Sequence, residues 1–154
     1  MKKLISAMFI LVSCFTTKAF SDGHAIKMGI ILGFTGPIES LTPDMAASAE
    51  LAFKEASDSG KLLGGKSIMI ERADSTCVDS AAATTAAEGL VSNGVLAIMG
   101  ADCSGVTGAI ATNVAVPNGV VMISPSATSP GLTDLKDKGY FLERLHQMLE
   151  VDKF

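Results

Sequence analysis

Short apolar runs alternate along this chain with longer, alanine-rich segments. Three of the runs are almost continuously apolar: Ile30–Leu32, Val95–Met99 and Val120–Ile123. A strand with one wet face alternates apolar and polar residues, whereas a strand covered on both faces is apolar throughout. Because the runs alternate with helical segments, the pattern predicts an α/β fold built on a doubly wound parallel sheet.

The same pattern predicts the order and bounds of the elements. The expected strands cover residues 26–34, 67–73, 95–99 and 120–124, and the expected helices cover residues 43–59, 79–92 and 104–114. Pro43 suits a first helical position, where no free N–H is needed, and Asp79 is expected to cap the second helix. A turn is expected at residues 117–119. The apolar face of the first helix is expected to carry Met45, Ala49, Ala52 and Phe53.

The loops that follow the predicted strands are rich in glycine, serine and threonine. They read GFTGP from Gly33, DST from Asp74, ADCSG from Ala101 and SPSATS from Ser124. Ligands of doubly wound sheets bind beyond the carboxyl ends of the strands. Hydroxyl and backbone N–H donors in these loops suit a small anionic group such as a carboxylate. Serine and glycine are also ordinary turn residues, so this reading stays open.

Motifs for common enzymes of this fold class are missing from the sequence. After the first strand, Gly33 and Gly36 are followed by Pro37, which removes an N–H that a dinucleotide phosphate would use. No Gly-x-Ser-x-Gly elbow is present, and His24 and His146 lie far from the predicted strand ends, so a Ser–His hydrolase lacks its base. We therefore expect neither enzymatic activity nor a cofactor.

The N-terminal residues have the order of an export signal. Two lysines precede an apolar run over residues 4–15, and small residues follow. We interpret residues 1–21 as a signal peptide, with cleavage after Ala19 or Ser21. The alternative is a lipoprotein acylated at Cys14. Either route predicts a protein of the periplasm.

Composition and charge narrow the choice of partners. The chain has 154 residues, 48% of them hydrophobic, which is enough for one core. Its 12 basic side chains are outnumbered by 16 acidic ones, and only 5% of residues are aromatic. A chain of this kind has no basic surface with which to neutralise phosphates, so we expect no nucleic-acid partner.

Two cysteines, Cys77 and Cys103, remain after removal of the signal. An even number of cysteines in an oxidising compartment favours a disulfide. A metal site is the alternative, but two thiols without a nearby histidine do not complete a zinc shell. We therefore expect no metal.

Several segments together resemble a known family. The first predicted strand reads IKMGI from Ile26, residues 34–37 read FTGP, and the two cysteines follow. The most specific segment is MISPSATSPGLT at residues 122–133. These features, spread over residues 26–141, resemble the type I periplasmic solute-binding proteins of the leucine/isoleucine/valine-binding family.

The resemblance implies a two-lobed α/β protein that traps an amino acid or a related small carboxylate or amide. Such a protein delivers its ligand to an ABC permease in the inner membrane and performs no chemistry on it. The resemblance pairs the two cysteines beside the binding loops. It assigns Ser104 to the ligand's carboxylate, and Ser126, mainly through its backbone, and Thr128 to the carboxylate and ammonium. The implied ligand-binding set is Ser104, Ser126, Ala127, Thr128 and, at a wall position that is often aromatic in relatives, Leu41.

The resemblance also sets the expected domain bounds. Residues 22–141 correspond to an incomplete N-terminal lobe, and the charge partner of a ligand ammonium would lie on the second lobe. Residues 142–154 depart from the family's continuation. One added base in the T run expected to encode Phe141 and Leu142 restores a family-like continuation, so we interpret 142–154 as an out-of-frame tail. The chain is then a truncated fragment, expected to bind weakly alone.

Two other functions stay open at this stage. An extracytoplasmic sensor domain of a receptor uses the same fold, and a downstream transmembrane helix and signalling domain would reveal it. An exported α/β hydrolase is less favoured because its base is missing. Asp44, Asp74 and Asp102 would offer an acid–base pair, but we interpret them as helix caps or solvated turn residues.

Overall fold

Five parallel strands form one sheet in the order β2-β1-β3-β4-β5. The computed structural model describes residues 25–135 and the backbone of 141–142. The strands are β1 Ile26–Leu32, β2 Ile68–Asp74, β3 Ala97–Gly100, β4 Val121–Ile123 and β5 Phe141–Leu142. The helices are α1 Thr42–Asp58, α2 Ser80–Ser92, α3 Ser104–Ile110 and α4 Val116–Asn118. A π-helical turn at Ala111–Ala115 joins α3 to α4, and 3-10 turns lie at Leu62–Gly64 and Pro130–Leu132.

The predicted doubly wound α/β sheet is confirmed. The predicted signal peptide at 1–21, with its alternative lipidation site Cys14, lies outside the described residues. So does the predicted tail beyond residue 142.

Strand β1 lies between β2 and β3 and sets the order of these strands in the sheet. It pairs with β2 from Ile26↔Ile68 to Leu32↔Asp74, and with β3 from Met28↔Ala97 to Ile31↔Gly100. The chain therefore leaves β1 in one direction to form β2 and returns past β1 to form β3. In this strand order the loops diverge between β1 and β3, and a crevice for ligands opens at their carboxyl ends.

The apolar side chains of β1 pack into two hydrophobic clusters, one on each face of the sheet. Ile31 belongs to a cluster with residues of α2 and α3, whereas its neighbour Ile30 packs with Leu32 and Ala46 of α1 on the other face. Both isoleucines are fully buried. Of the residues predicted on the apolar face of α1, Met45, Ala49 and Phe53 pack partly buried against the cluster of Ile30, whereas Ala52 is exposed. Ala46, which was not predicted, is fully buried in it.

The α1 side of the sheet is covered only in part. A groove of about 240 Å³ lies beside α1, and its lining comes from α1, β1, β3 and β4. The side chains of Val121 and Ile123 on β4 are 36% and 51% exposed. The apolar sequence of β4 predicts burial on both faces, but among the described residues no helix covers this face of the strand.

Several predicted boundaries differ; β1 ends at Leu32 and α3 at Ile110, earlier than predicted. Two further differences have a clear physical reason. Val95 was expected to open a strand, but its N–H donates to the Leu90 carbonyl and completes the end of α2. The predicted turn at 117–119 is helical as far as Asn118 and ends at Gly119, whose positive φ suits a helix C-terminus. The π-helical turn just before Pro117 shifts the hydrogen-bond ladder where proline has no N–H to donate.

The predicted cap of α2 is confirmed. The Asp79 carboxylate accepts the N–H groups of Ala81 and Ala82 at 2.9 and 3.0 Å. These donors would otherwise lack a partner in the first turn of the helix.

We predict that Asp79→Ala lowers the free energy of unfolding by about 1 kcal/mol, whereas Asp79→Asn, which keeps an acceptor, costs much less. Urea unfolding of the full oxidised chain measures both variants. Equal losses for alanine and asparagine would contradict the capping role.

Candidate functional site

Loops at the carboxyl ends of β1, β2 and β3 meet at one buried carboxylate. The Asp102 Oδ2 atom accepts the Gly33 N–H at 2.7 Å. Its Oδ1 atom accepts the Cys103 N–H at 2.9 Å and the Ser75 hydroxyl at 3.3 Å. Asp102 is only 4% exposed. The interpretation of Asp102 as a solvated turn residue is therefore wrong.

Ser104, at the start of α3, lies against the loop that follows β4. Its Oγ atom accepts the N–H groups of Thr128 and Ser129 at 3.0 and 3.1 Å. Because Ser104 acts as acceptor in both bonds, neither of them uses its hydroxyl proton. The structure thus brings together Ser104 and Thr128, two residues that the resemblance assigned to one ligand.

The loop after β4 is shaped by Ser124, which the sequence analysis did not single out. The buried Ser124 hydroxyl donates to the Ala101 carbonyl at 2.6 Å and accepts the Ala127 N–H at 2.8 Å. Ala127 is fully buried, backbone included, and its N–H is already bonded to Ser124, so the structure does not expose this residue to a ligand. Ser126 is exposed, and its hydroxyl donates to the Asp102 carbonyl at 3.0 Å. A serine placed directly after a buried strand was the available signal for Ser124.

The β1–α1 loop forms another side of the site. Leu41 is 61% exposed on it and lies outside the hydrogen-bonded group formed by Ser104 and its partners. The next residue, Thr42, is buried and donates its hydroxyl to the Gly33 carbonyl. Gly36 has a φ of +99°, and a Cβ atom there would lie 2.5 Å from the Thr76 carbonyl oxygen. Only glycine allows this close contact between the loops after β1 and β2.

A disulfide joins Cys77 to Cys103, with the Cα atoms 5.2 Å apart. It connects the loop after β2 to the residue that precedes α3. Thr76 and Cys77 both have positive φ values, a conformation that non-glycine residues keep only when the surroundings enforce it. The disulfide and the contact with Gly36 hold this loop in place.

Asp74, at the end of β2, is a second carboxylate that links loops. Burial alone would raise the pKa of the Asp74 carboxyl. Hydrogen bonds from the Thr35 hydroxyl and from the N–H groups of Thr76, Thr35 and Phe34 together have the larger effect, and they hold this pKa below its usual range. The Thr35 hydroxyl lies 2.6 Å from Oδ2 of Asp74. The expectation that Asp74 serves a turn agrees with its bond to the Thr76 N–H, two residues on.

The edge of the sheet formed by the carboxyl ends of the strands is rich in neutral hydrogen-bond donors. Within residues 25–135, no group of three histidine, cysteine or acidic side chains is placed to hold a metal ion. The same part of the chain holds no helix of sufficient length and apolarity to cross a membrane. The fold and this edge define an α/β lobe with a hydroxyl- and amide-lined site at the point where the strand order reverses.

A sequence model of the family described as "Periplasmic binding protein" matches residues 25–142, and the chain belongs to this family. The chain is 30% identical over 131 residues to a Leu/Ile/Val-binding protein of Rhizobium johnstonii, covering 85% of this chain and 34% of the relative. It is 29% identical over 132 residues to the Leu/Ile/Val-binding protein of Escherichia coli K12, covering 84% of this chain and 35% of the relative. The resemblance seen in the sequence is confirmed.

Solved structures agree with this assignment. The branched-chain amino acid transporter substrate-binding protein LivJ of Streptococcus pneumoniae, in complex with isoleucine, has a TM-score of 0.69 and 32% identity, covering 77% of this chain and 33% of that one. A substrate-binding protein of Desulfitobacterium hafniense in complex with Leu has a TM-score of 0.65 and 27% identity over the same 77% of this chain and 33% of that one. The chain spans about a third of the length of these relatives.

We predict that the stabilising effect of Asp74 disappears in acid. A carboxyl whose pKa is lower in the folded than in the unfolded state stabilises the fold fully above about pH 4, and this stabilisation is lost as the pH falls through the folded pKa. The difference in unfolding free energy between the wild type and Asp74→Asn is therefore expected to shrink as the pH falls from 6 to 3. Asp44→Asn, at an exposed position of α1, is the control for general charge effects. A difference independent of pH would contradict the prediction.

We predict that the disulfide contributes strongly to stability. It closes a loop with a sequence separation of 26 residues. The double variant Cys77→Ala/Cys103→Ala is expected to lose roughly 3–4 kcal/mol of unfolding free energy because its unfolded state is less restricted. Urea unfolding of the oxidised wild type, the reduced wild type and the double variant measures the effect. The last two should agree, and three equal midpoints would refute the prediction.

Proposed function

We propose that the chain forms part of the N-terminal lobe of the amino-acid-binding component of an ABC uptake system, exported to the periplasm. The observation that carries this proposal is the contact of Ser104, which follows β3, with the backbone of Thr128 and Ser129 in the loop after β4, beside the switch point between β1 and β3. The named relatives are Leu/Ile/Val-binding proteins, and two of the similar structures hold isoleucine or Leu.

The donors at this edge suit the carboxylate of an amino acid. The hydroxyl proton of Ser104 takes no part in the two bonds that its oxygen accepts, so it is available to a ligand oxygen. Thr128 is exposed beside it and supplies a second hydroxyl. Hydrogen bonds from neutral donors to a carboxylate are charge-assisted and stronger than bonds between neutral partners. The site therefore binds an anionic group without a fixed cation.

The side chain of the ligand is expected to be aliphatic. Leu41 offers an exposed apolar surface on the β1–α1 loop, and burial of a ligand's methyl groups against it favours leucine, isoleucine or valine. In this proposal the partner for the ligand's ammonium and the contact with a permease come from the remaining length that the relatives possess.

The proposal is tested in a chimaera that supplies this remaining length. Residues 25–135 replace the matching segment of the S. pneumoniae isoleucine-binding protein, and calorimetry measures the binding of leucine, isoleucine and valine. Ser104→Ala and Thr128→Ala are each expected to weaken binding by about 1.5–3 kcal/mol, or roughly 10- to 150-fold, because each removes a hydrogen bond to a charged group.

Thr85→Ala is the matched control, since Thr85 is an exposed hydroxyl residue on α2. This variant should keep the affinity of the chimaera. A folded chimaera that binds none of the three amino acids would contradict the proposed ligand class. Unchanged affinity in both Ser104→Ala and Thr128→Ala would remove these residues from the site.

A further inference from the structure

We infer that Asp102 is a positioning residue, whose buried carboxylate sets the relative placement of the loops that form the ligand site. This inference rests on the proposed function for what the loops bind. The resemblance assigned no role to Asp102, and its residue type alone indicated a turn. The geometry around its two carboxylate oxygens indicates otherwise.

The side-chain partners of Asp102 lie in its own loop and in two others. Gly33 follows β1, Ser75 follows β2, and Cys103 follows β3. All three partners donate, and a carboxylate is the side-chain group that only accepts. The close approach of Gly33 depends on its lack of a side chain, because a Cβ atom there would lie 3.2 Å from the Cys77 Cβ and 3.4 Å from Asp102 Oδ2.

Asp102 is also connected through hydrogen bonds to the groups proposed to contact the ligand. Its main-chain carbonyl accepts the Ser126 hydroxyl, so the same residue also contacts the loop after β4. Its Oδ1 atom holds the N–H of Cys103, the residue directly before Ser104. Ser104 in turn holds the backbone of Thr128. A shift at Asp102 is therefore passed to both sides of the proposed carboxylate site.

The acidic side chain of Asp102 makes a connection that the disulfide does not make. A buried carboxylate is costly to desolvate, and the disulfide already connects the loop after β2 to the start of α3. The disulfide does not reach the loop after β1, whereas Asp102 does through Gly33. In Asp102→Asn, an amide N–H₂ replaces one acceptor oxygen and faces a backbone donor, so the hydrogen bond to either Gly33 or Cys103 is lost.

The test uses the full oxidised chain, labelled for NMR, as wild type, Asp102→Asn and Asp79→Ala. Asp79 is the matched control because it also accepts two backbone N–H groups but contacts only α2 and the residues before it. Amide hydrogen exchange is followed at Gly33, Thr128 and Ser129, relative to core amides of β1. We expect Asp102→Asn to speed exchange at these three amides at least about tenfold more than in the core, since local opening is measured separately from global unfolding. Asp79→Ala should not do so.

The result that overturns the inference is exchange at Gly33, Thr128 and Ser129 that rises in Asp102→Asn only as far as it rises in the core. If Asp102→Asn does not fold, Ser75→Ala removes one donor to the same carboxylate. In that variant, faster exchange at Gly33 and Thr128 without a change in the core supports the inference, and exchange there that follows the core overturns it.

Isoleucine titration of the chimaera defined above, as wild type, Asp102→Asn and Asp79→Ala, separates this inference from the proposed function. A folded wild-type chimaera that does not bind isoleucine counts against the proposed ligand, while the exchange comparison on the chain itself still decides the role of Asp102. Where the wild-type chimaera binds, Asp102→Asn is expected to need at least about tenfold more isoleucine, and Asp79→Ala the same amount as the wild type. Equal affinity in Asp102→Asn would overturn the positioning role.

Discussion

Parallel pairing of β1 with both β2 and β3 is the constraint on which the rest of the structure depends. It brings the carboxyl ends of three strands to one edge, where the loops after β1, β2 and β3 begin. Pairing of β4 with β3 adds the loop after β4 at the same edge. It also buries Ile30 and Ile31 toward opposite faces, so the sheet needs helices on both sides. The loop after β1 and the loop after β3 leave this edge in opposite directions, so a candidate site arises between them without any special sequence motif.

Local patterns were sufficient to predict the fold, and contacts between distant residues explain what the patterns missed. The α2 cap at Asp79 lies within three residues of its partners and was predicted correctly. The role of Asp102 depends on Gly33, 69 residues away, and could not be read from a neighbouring sequence that resembles a turn. Val95 is a different case, because its apolar side chain suggested a strand although its N–H bonds to the nearby Leu90 carbonyl and completes α2. The resemblance indicated Ser104 and Thr128 as a pair, but not that the serine oxygen holds the threonine backbone.

The uncovered face of the sheet follows from the same physical argument. Val121 and Ile123 are apolar in a strand whose other face, at Met122, is completely buried. A strand exposed to water on one side is normally polar there, so the sequence of β4 is that of a strand covered on both sides. Among the described residues, the groove along α1 leaves this face of β4 open. The relatives are about three times as long as this chain.

The donors of the proposed carboxylate site are neutral, and this determines how accurately they must be placed. A fixed cation attracts a carboxylate over several ångströms, whereas a hydroxyl or amide is effective only within hydrogen-bond distance and angle. The loops that carry Ser104 and Thr128 must therefore be held rigidly before a ligand arrives. In this structure they are held by hydrogen bonds and the disulfide, which converge on Asp102 and its neighbour Cys103. In the proposed site, accurately placed neutral donors therefore replace the fixed cation that binds the anion in other sites.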